Sequence, residues 1–212
     1  MIRISSKANV LRPTSFLYWG GNFLCCALMF ALLNHARAAD PAINAPPHIQ
    51  QAIANARLAG EGRFRWFGLS IYDAQLWVGD KGYQTSSPDA ASYALDLRYA
   101  RAFEGGKIAQ SSIDQMRKIG SGSEADYGPW LTHMKAIFPN VVEGSHITGI
   151  FFPGIGARFY FNGKTVGEIA DPKFAEAFFG IWLSPKTTDA SLRKKLLTDA
   201  APATAPTATP HQ

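Results

Sequence analysis

The sequence is poor in cysteine. Cys25 and Cys26 are its only cysteines, and both lie in an N-terminal segment that we expect to be removed. The rest of the chain therefore excludes disulfide bonds, thiolate catalysis and zinc–thiolate centres. A lipoprotein signal is also excluded, because Asn22-Phe23-Leu24, and not a run of small residues, precedes Cys25.

The sequence also lacks the short motifs of several enzyme classes. Gly154-Ile155-Gly156 is not followed by the Lys-Ser/Thr of a phosphate-binding loop, and neither Gly-x-Ser-x-Gly nor His-Glu-x-x-His occurs. The histidines beyond the N-terminal segment are too scattered for a metal site. We therefore expect no cofactor and no metal. These histidines are His48, His133, His146 and His211.

The first 38 residues have the pattern of a secretory signal peptide. Basic residues precede the apolar run Phe23–Leu33, and Ala36-Arg37-Ala38 offers small residues at both cleavage positions. An uncleaved anchor is disfavoured because Gly20-Gly21-Asn22 interrupts the apolar stretch, and a membrane span needs about 20 residues. We predict cleavage after Ala38 or Ala39 and a periplasmic or secreted protein without a stable membrane span.

Removing this leader changes the charge. It holds four of the 21 lysines and arginines and none of the 16 acidic residues, which leaves 17 basic against 16 acidic residues. The net charge falls from +5 to +1. No basic patch remains to favour nucleic acid, so we expect no nucleic-acid partner.

Hydrophobic periodicity after the leader predicts an α+β fold with an antiparallel sheet. Asn162-Gly163 is typical of a two-residue hairpin, and Asp171-Pro172 is typical of a helix start. The predicted strands are Ala56–Phe67, Ser70–Val78, Ser92–Tyr99, His146–Phe152, Ala157–Phe161 and Lys164–Ile169. The predicted helices are Lys107–Ile119, Tyr127–Phe138, Asp171–Leu183 and Ala190–Leu197.

We predict one folded domain, residues 50–198, between two segments without a core. Residues 39–49 are predicted to be a linker because Asp40–Pro47 is small and proline-rich. Residues 199–212 are predicted to be a disordered tail rich in Ala, Pro and Thr, with little apolar surface to bury.

Two arginines on the first strand are candidates for a binding site. Arg63 and Arg65 share one face of an extended chain, and Phe64 and Trp66 share the other. The arginines either lie on a solvated sheet face or bind a carboxylate or enolate by bidentate hydrogen bonds. Tyr72 on the next strand would be a second donor to the same anion if its face meets Arg65.

The sequence resembles chalcone-isomerase-like proteins, most closely their bacterial, exported members. Arg57–Val78 resembles the paired first strands of that family, and Gly149–Leu183 resembles its closing hairpin and helix. The resemblance covers about residues 50–197. It implies an open-faced β-sandwich, in which helices pack on a large antiparallel sheet and leave a cleft. Plant members cyclise chalcones to flavanones, and related plastid proteins bind fatty acids through an Arg and a Tyr.

The resemblance places the family's strand arginine on Arg65, or on Arg63 with a different gap, and the following-strand position on Tyr72. The tyrosine and lysine of the isomerases fall near Ala109 and Ser112, which cannot replace a phenol or an ammonium. We therefore predict a non-catalytic protein that binds a small acidic amphiphile such as a fatty acid. The predicted ligand-binding residues are Arg65, Tyr72, Arg63 and Ser112.

Two alternatives remain open. One is an isomerase or lyase for an enolisable or phenolic substrate, with Arg65 stabilising an oxyanion and Tyr72 acting as acid or base. The other is a structural or partner-docking protein without a ligand. An apolar cleft in which Arg65 and Tyr72 converge would favour ligand binding or catalysis, and a cleft filled by aromatic side chains would favour the structural role.

Overall fold

The computed structural model of the protein describes residues 44–203. Six antiparallel strands form one sheet in which every strand pairs with its neighbour along the chain. The strands are β1 (Arg57–Trp66), β2 (Leu69–Val78), β3 (Tyr93–Tyr99), β4 (His146–Phe152), β5 (Gly156–Phe161) and β6 (Lys164–Ile169). The helices are α1 (Pro47–Ala52), α2 (Gly105–Ile119), α3 (Glu124–Ile137), α4 (Pro172–Leu183) and α5 (Ala190–Leu196).

The predicted fold class, strands and four helices are confirmed. None of the helices formed by residues 44–203 is long and apolar enough to cross a membrane. The predicted signal peptide lies outside the described residues.

Helix α4 packs on the sheet and closes the main core. Asp171 caps the helix by accepting a hydrogen bond from Phe174 N at 3.1 Å, and it also accepts one from Trp130 Nε1 at 2.8 Å. Phe178 is buried, and its ring lies edge-on to that of Phe159 with the centroids 5.2 Å apart. The aromatic side of this helix is therefore the part that covers the sheet.

A smaller core lies on the outer face of the sheet beneath α1. Ala45 and Ile49 are buried there with Trp77, Ala94 and Ile150. The predicted linker is therefore wrong from residue 45 onwards. Its proline-rich composition masked a helix start, since proline is well tolerated at the first helical position.

The folded part also extends further at the C-terminus than predicted. Tyr83 N donates a hydrogen bond to the main-chain oxygen of Ala200 at 2.7 Å, and Ala200 is buried. Arg57 donates to the main-chain oxygen of Asp199 at 2.5 Å. The predicted tail is thus wrong for residues 199–203, and its remainder lies outside the described residues.

A buried carboxylate organises the outer face. Asp96 is only 3% exposed, although the alternation of β3 predicts a solvent-facing position. It accepts a hydrogen bond from Thr148 Oγ1 at 2.6 Å, and His146 Nδ1 lies 2.7 Å from it. His48 Nε2 of α1 lies 3.0 Å from Thr148 Oγ1. These partners compensate the cost of burying the charge.

Two hairpins of the sheet have the same turn geometry but different sequences. Asn162-Gly163 has φ values of 50° and 80°, as the sequence predicts for a two-residue turn. Phe67-Gly68 joins β1 to β2 with φ values of 46° and 79°. Asparagine tolerates this left-handed conformation, whereas a bulky side chain pays about 1–2 kcal/mol. Phe67 is nevertheless 87% exposed, so burial does not offset the strain.

His146 and His48, the two histidines of the Asp96 cluster, should contribute to stability with opposite pH dependences. The hydrogen bond that His146 donates to the Asp96 carboxylate raises the pKa of His146 above 6.5. Its stabilisation is therefore complete below the unfolded-state pKa and disappears as the pH rises through the folded-state value. Burial lowers the pKa of His48, so its stabilisation is present above the unfolded-state pKa and disappears as the pH falls.

Denaturant unfolding at about pH 5 and about pH 8 measures this difference. The stability deficit of His146→Gln should be larger at the lower pH, and that of His48→Gln should be larger at the higher pH. Equal deficits at both pH values would contradict the assignment.

Replacing Phe67 should relieve the strain in the first hairpin turn. Phe67→Asn should raise the free energy of unfolding by about 0.5–1 kcal/mol, because asparagine adopts the left-handed conformation more readily. Phe67→Ala is the control, since it removes the ring without supplying the short polar side chain that favours the left-handed conformation. Chemical denaturation compares the two. A loss of stability in Phe67→Asn would mean that the ring contributes packing, for example against Trp66.

Candidate functional site

A cleft of about 420 Å³ lies between one face of the sheet, α2, and the C-terminal end of α4 with the loop that follows it. Its volume is within the range of small-molecule sites. The walls are mainly apolar and aromatic. They include Phe64, Trp66, Leu97, Ile147, Phe178 and Trp182.

Helix α2 is positioned along the cleft by close packing at the N-terminus of the helix. Gly105 lies against the loop after α3, where an added Cβ atom would come within 2.0 Å of Phe138 O. Gly105 N also donates a hydrogen bond to Asn140 Oδ1 at 2.9 Å. The buried side of α2 includes Ile113 and Met116, and the adjacent side presents polar residues to the cleft. A larger side chain at position 105 would displace the helix.

A buried phenol, Tyr99, and a partly buried one, Tyr72, form the polar part of the interior. Tyr72 and Tyr99 are cross-strand partners, and their ring centroids lie 5.9 Å apart. Trp182 Nε1 donates a hydrogen bond to the Tyr72 hydroxyl at 2.9 Å. Burial raises the pKa of both phenols, so both stay protonated at neutral pH. Each can donate a hydrogen bond to a ligand oxygen.

The charged residues of the cleft lie at its rim. Lys107 and Lys118 on α2 are exposed, and Lys107 Nζ pairs with Glu104 at 2.9 Å. Asp189 also lines the cleft, but its carboxylate caps α5 by accepting a hydrogen bond from Leu192 N at 2.9 Å. The site therefore changes from apolar walls with neutral donors to a charged edge.

Two of the four predicted ligand-binding residues line the cleft. Tyr72 does so as one of the phenols, and Ser112 does so from α2. The Ser112 hydroxyl donates back to Ile108 O at 2.9 Å, so it can offer a ligand only an acceptor.

Neither predicted arginine lines the cleft, contrary to the prediction that one of them faces it. Strand β1 turns Phe64 and Trp66 towards the cleft instead. Arg63 lies on the opposite face and forms a bidentate pair with Asp73 at 2.6 and 3.0 Å. Arg65 is exposed beside the hairpin turn. The alternation along β1 was predicted correctly, but alternation does not say which face is covered.

Sequence reasoning missed Tyr99, Trp182 and Lys118 as cleft residues. The shared orientation of Tyr72 and Tyr99 follows only from the register of β2 and β3. A register shift between Phe64 and Arg65 explains why the consecutive residues Ile71 and Tyr72 both line the cleft.

No group of three or more His, Cys, Asp or Glu side chains that could hold a metal ion occurs between residues 44 and 203. The polar groups of the cleft are instead phenols, hydroxyls, lysines, the Gln115 amide and the carboxylates of Asp114 and Asp189. This donor set suits an organic ligand that carries oxygen atoms.

Comparison with known proteins identifies the family. A family model described as chalcone isomerase-like matches residues 41–198. A protein of Haemophilus influenzae, described only as uncharacterised, is 28% identical over 138 residues, which are 65% of this chain and 66% of that protein. This chain thus spans just under two thirds of the length of that relative.

The fold is similar to that of a fatty-acid binding protein of Arabidopsis thaliana. The TM-score is 0.55 and the sequence identity 13%, over 69% of this chain and 89% of the plant protein. At this identity the likeness shows the fold alone. The family match, in contrast, covers nearly all of the residues that the structure describes. The chain belongs to the chalcone isomerase-like family.

Proposed function

We propose that this protein is exported to the periplasm or secreted and there binds a small amphiphile with an acidic head group, such as a fatty acid. The observation that carries the proposal is the open cleft of about 420 Å³, with apolar walls, phenol donors inside and lysines at its rim. Pockets of this kind bury the apolar body of a ligand and orient it with few polar contacts.

The head group is expected at the rim and not deep in the cleft. An ionised carboxylate beside Tyr72 and Tyr99 would be buried without a cation, which is costly even with neutral hydrogen-bond donors. Lys118 is exposed at the edge and can pair with the carboxylate in solvent. The apolar body then extends along Phe64, Leu97 and Phe178, and the phenols serve any oxygen that the body carries.

The plant protein of similar fold supports the proposal by analogy. That protein is described as a fatty-acid binding protein. Since a fold hosts many functions, the argument for a ligand rests on the cleft of this chain and not on that likeness.

The two alternative functions have less support. A structural role predicted a cleft filled by aromatic packing, and the cleft is open. An isomerase was expected to use Arg65 as an oxyanion stabiliser, and Arg65 lies outside the cleft. The raised pKa of Tyr72 makes its phenol a hydrogen-bond donor at neutral pH and a poor base.

Native mass spectrometry of protein purified from the periplasmic fraction tests export and ligand together. The mass should lack residues 1–38 or 1–39, and a bound species should be released on denaturation. Protein that retains Met1 and stays with the membrane would contradict export.

Titration with a fluorescent long-chain fatty acid tests the cleft itself. Ser111→Trp should weaken binding roughly 10-fold or more, because Ser111 is an exposed lining residue and the indole would obstruct the cleft. Gln110→Trp is the matched control: it is the neighbouring exposed position on α2 and does not line the cleft. Equal binding by wild type and both variants would contradict the proposed site.

The same titration tests the position of the head group, by comparing a fatty acid with the matching alcohol. Lys118→Glu should weaken fatty-acid binding about 5-fold, as expected for a solvent-exposed charge pair, and should leave the matching long-chain alcohol unaffected. Lys135→Glu on α3, outside the cleft, is the control. Equal losses for acid and alcohol would place the carboxylate elsewhere.

The two phenols should differ in their contribution to stability. Tyr72→Phe should cost about 1–3 kcal/mol, because it leaves Trp182 Nε1 without its acceptor in a largely buried position. Tyr99→Phe should cost less, since no group between residues 44 and 203 hydrogen-bonds its hydroxyl. Chemical denaturation measures both. Near-equal costs would mean that the Trp182 bond is not what stabilises Tyr72.

A further inference from the structure

We infer that the tip of the β1–β2 hairpin, Trp66–Leu69, inserts into the surface of a lipid bilayer. The tip presents three apolar side chains to solvent: Trp66 is 63% exposed, Phe67 87% and Leu69 51%. The rings of Trp66 and Phe67 contact each other, with centroids 4.8 Å apart. Adjacent exposed apolar side chains of this kind mark interaction sites.

The fold does not need this tip to be apolar. The β5–β6 hairpin makes a turn of the same φ values with Asn162-Gly163, without strain and without an exposed ring. At the β1–β2 turn a phenylalanine occupies the position that favours asparagine, and solvent surrounds its ring. A residue that is unfavourable for both the turn and solvation is explained by a contact outside the chain.

The size and shape of the tip favour a bilayer over a protein partner. The three side chains expose on the order of 400 Å², given that an aromatic side chain has roughly 150–250 Å² to bury. A specific protein interface needs about 800 Å² from each partner. A projecting two-residue turn instead resembles an anchor, since tryptophan and phenylalanine partition into the interfacial layer of a membrane.

The charges near the tip favour an anionic bilayer. Arg65 is exposed and is the only charged residue between Phe64 and Tyr72. Arg101 is also exposed, directly after the residue whose N–H donates to Ile71 O at 2.9 Å. Both arginines therefore belong to chain segments next to the apolar tip, from which an exposed side chain can contact acidic lipid head groups.

The tip is continuous with the mouth of the cleft. Trp66 lines the cleft, whereas Phe67 and Leu69 do not. Docking would bring the mouth to the layer into which an amphiphile partitions, so the ligand could pass between bilayer and cleft. That transfer rests on the proposed function, whereas the docking itself rests only on the tip.

Vesicle binding by the protein from the periplasmic fraction tests the inference. The probe is a vesicle of phosphatidylcholine and phosphatidylglycerol in equal amounts, with brominated acyl chains that quench tryptophan on contact. Trp66 is the one exposed tryptophan between residues 44 and 203, because Trp77, Trp130 and Trp182 are buried. We expect binding by co-sedimentation, and quenching of the exposed fluorophore.

The double variant Phe67→Asn, Leu69→Thr removes the apolar tip and keeps residues that suit a turn and a strand. It should fold at least as stably as the wild type and bind vesicles roughly 10-fold or more weakly. Ile155→Asn is the matched control. It removes a 61% exposed apolar side chain from the β4–β5 turn, at the opposite end of the sheet, and should leave vesicle binding unchanged.

Three results would overturn the inference: no vesicle binding by the wild type, equal binding by the double variant, or self-association in sedimentation velocity that the double variant alone abolishes. The last would identify the tip as a protein contact. The double variant should retain fatty-acid binding in solution, since neither residue lines the cleft. Vesicle binding without amphiphile binding would contradict the proposed function and leave the docking intact.

Discussion

The structure depends on how a narrow layer of helices covers a wide sheet. Six strands span roughly 24 Å at a spacing of about 4.8 Å, whereas a helix with its side chains is only about 10 Å across. No single helix can cover such a face. Helix α4 packs on β4 and β5, and α5 packs on β1 and β2. Between α4 and α5, only α2 faces the sheet, and α2 itself contacts α3 and α4. The cleft lies between α2 and this part of the sheet. It is thus a consequence of the layer geometry.

Within the cleft, the polar groups of the interior are neutral and the charged groups lie at the edge. Tyr99 is buried and Tyr72 partly buried, both phenols are neutral, and the tryptophan donor at Tyr72 requires no counter-charge. The lysines lie at the edge, where water solvates them. This gradient matches the polarity of an amphiphile, which is why the physical argument for a ligand does not require an arginine in the interior.

Polar side chains are accommodated differently on the two faces of the sheet. On the cleft face, the polar side chains point into the open cleft. On the outer face, α1 covers Asp96, and the carboxylate is satisfied by Thr148 and His146. The cluster of Asp96, Thr148 and His146 helps to hold α1 on the sheet. It lies on the face opposite the cleft and contributes no polar group to it.

Local signals in the sequence determined the elements and their order. The alternation in β3, the Asn162-Gly163 turn and the Asp171-Pro172 helix start depend on neighbours in the chain, so they can be read without the fold. The resemblance to the family then implied the sheet with helices on it, which the structure confirms.

Only the tertiary structure decided which surfaces meet. Alternation separates Arg63 and Arg65 from Phe64 and Trp66, but long-range packing selects the aromatic pair for the cleft. Pairing of Tyr72 with Tyr99 requires the β2–β3 register. The burial of Asp96 requires α1, whose own residues carry a weak helical signal. Each of these features depends on contacts between residues distant in sequence, where periodicity and turn chemistry carry no information.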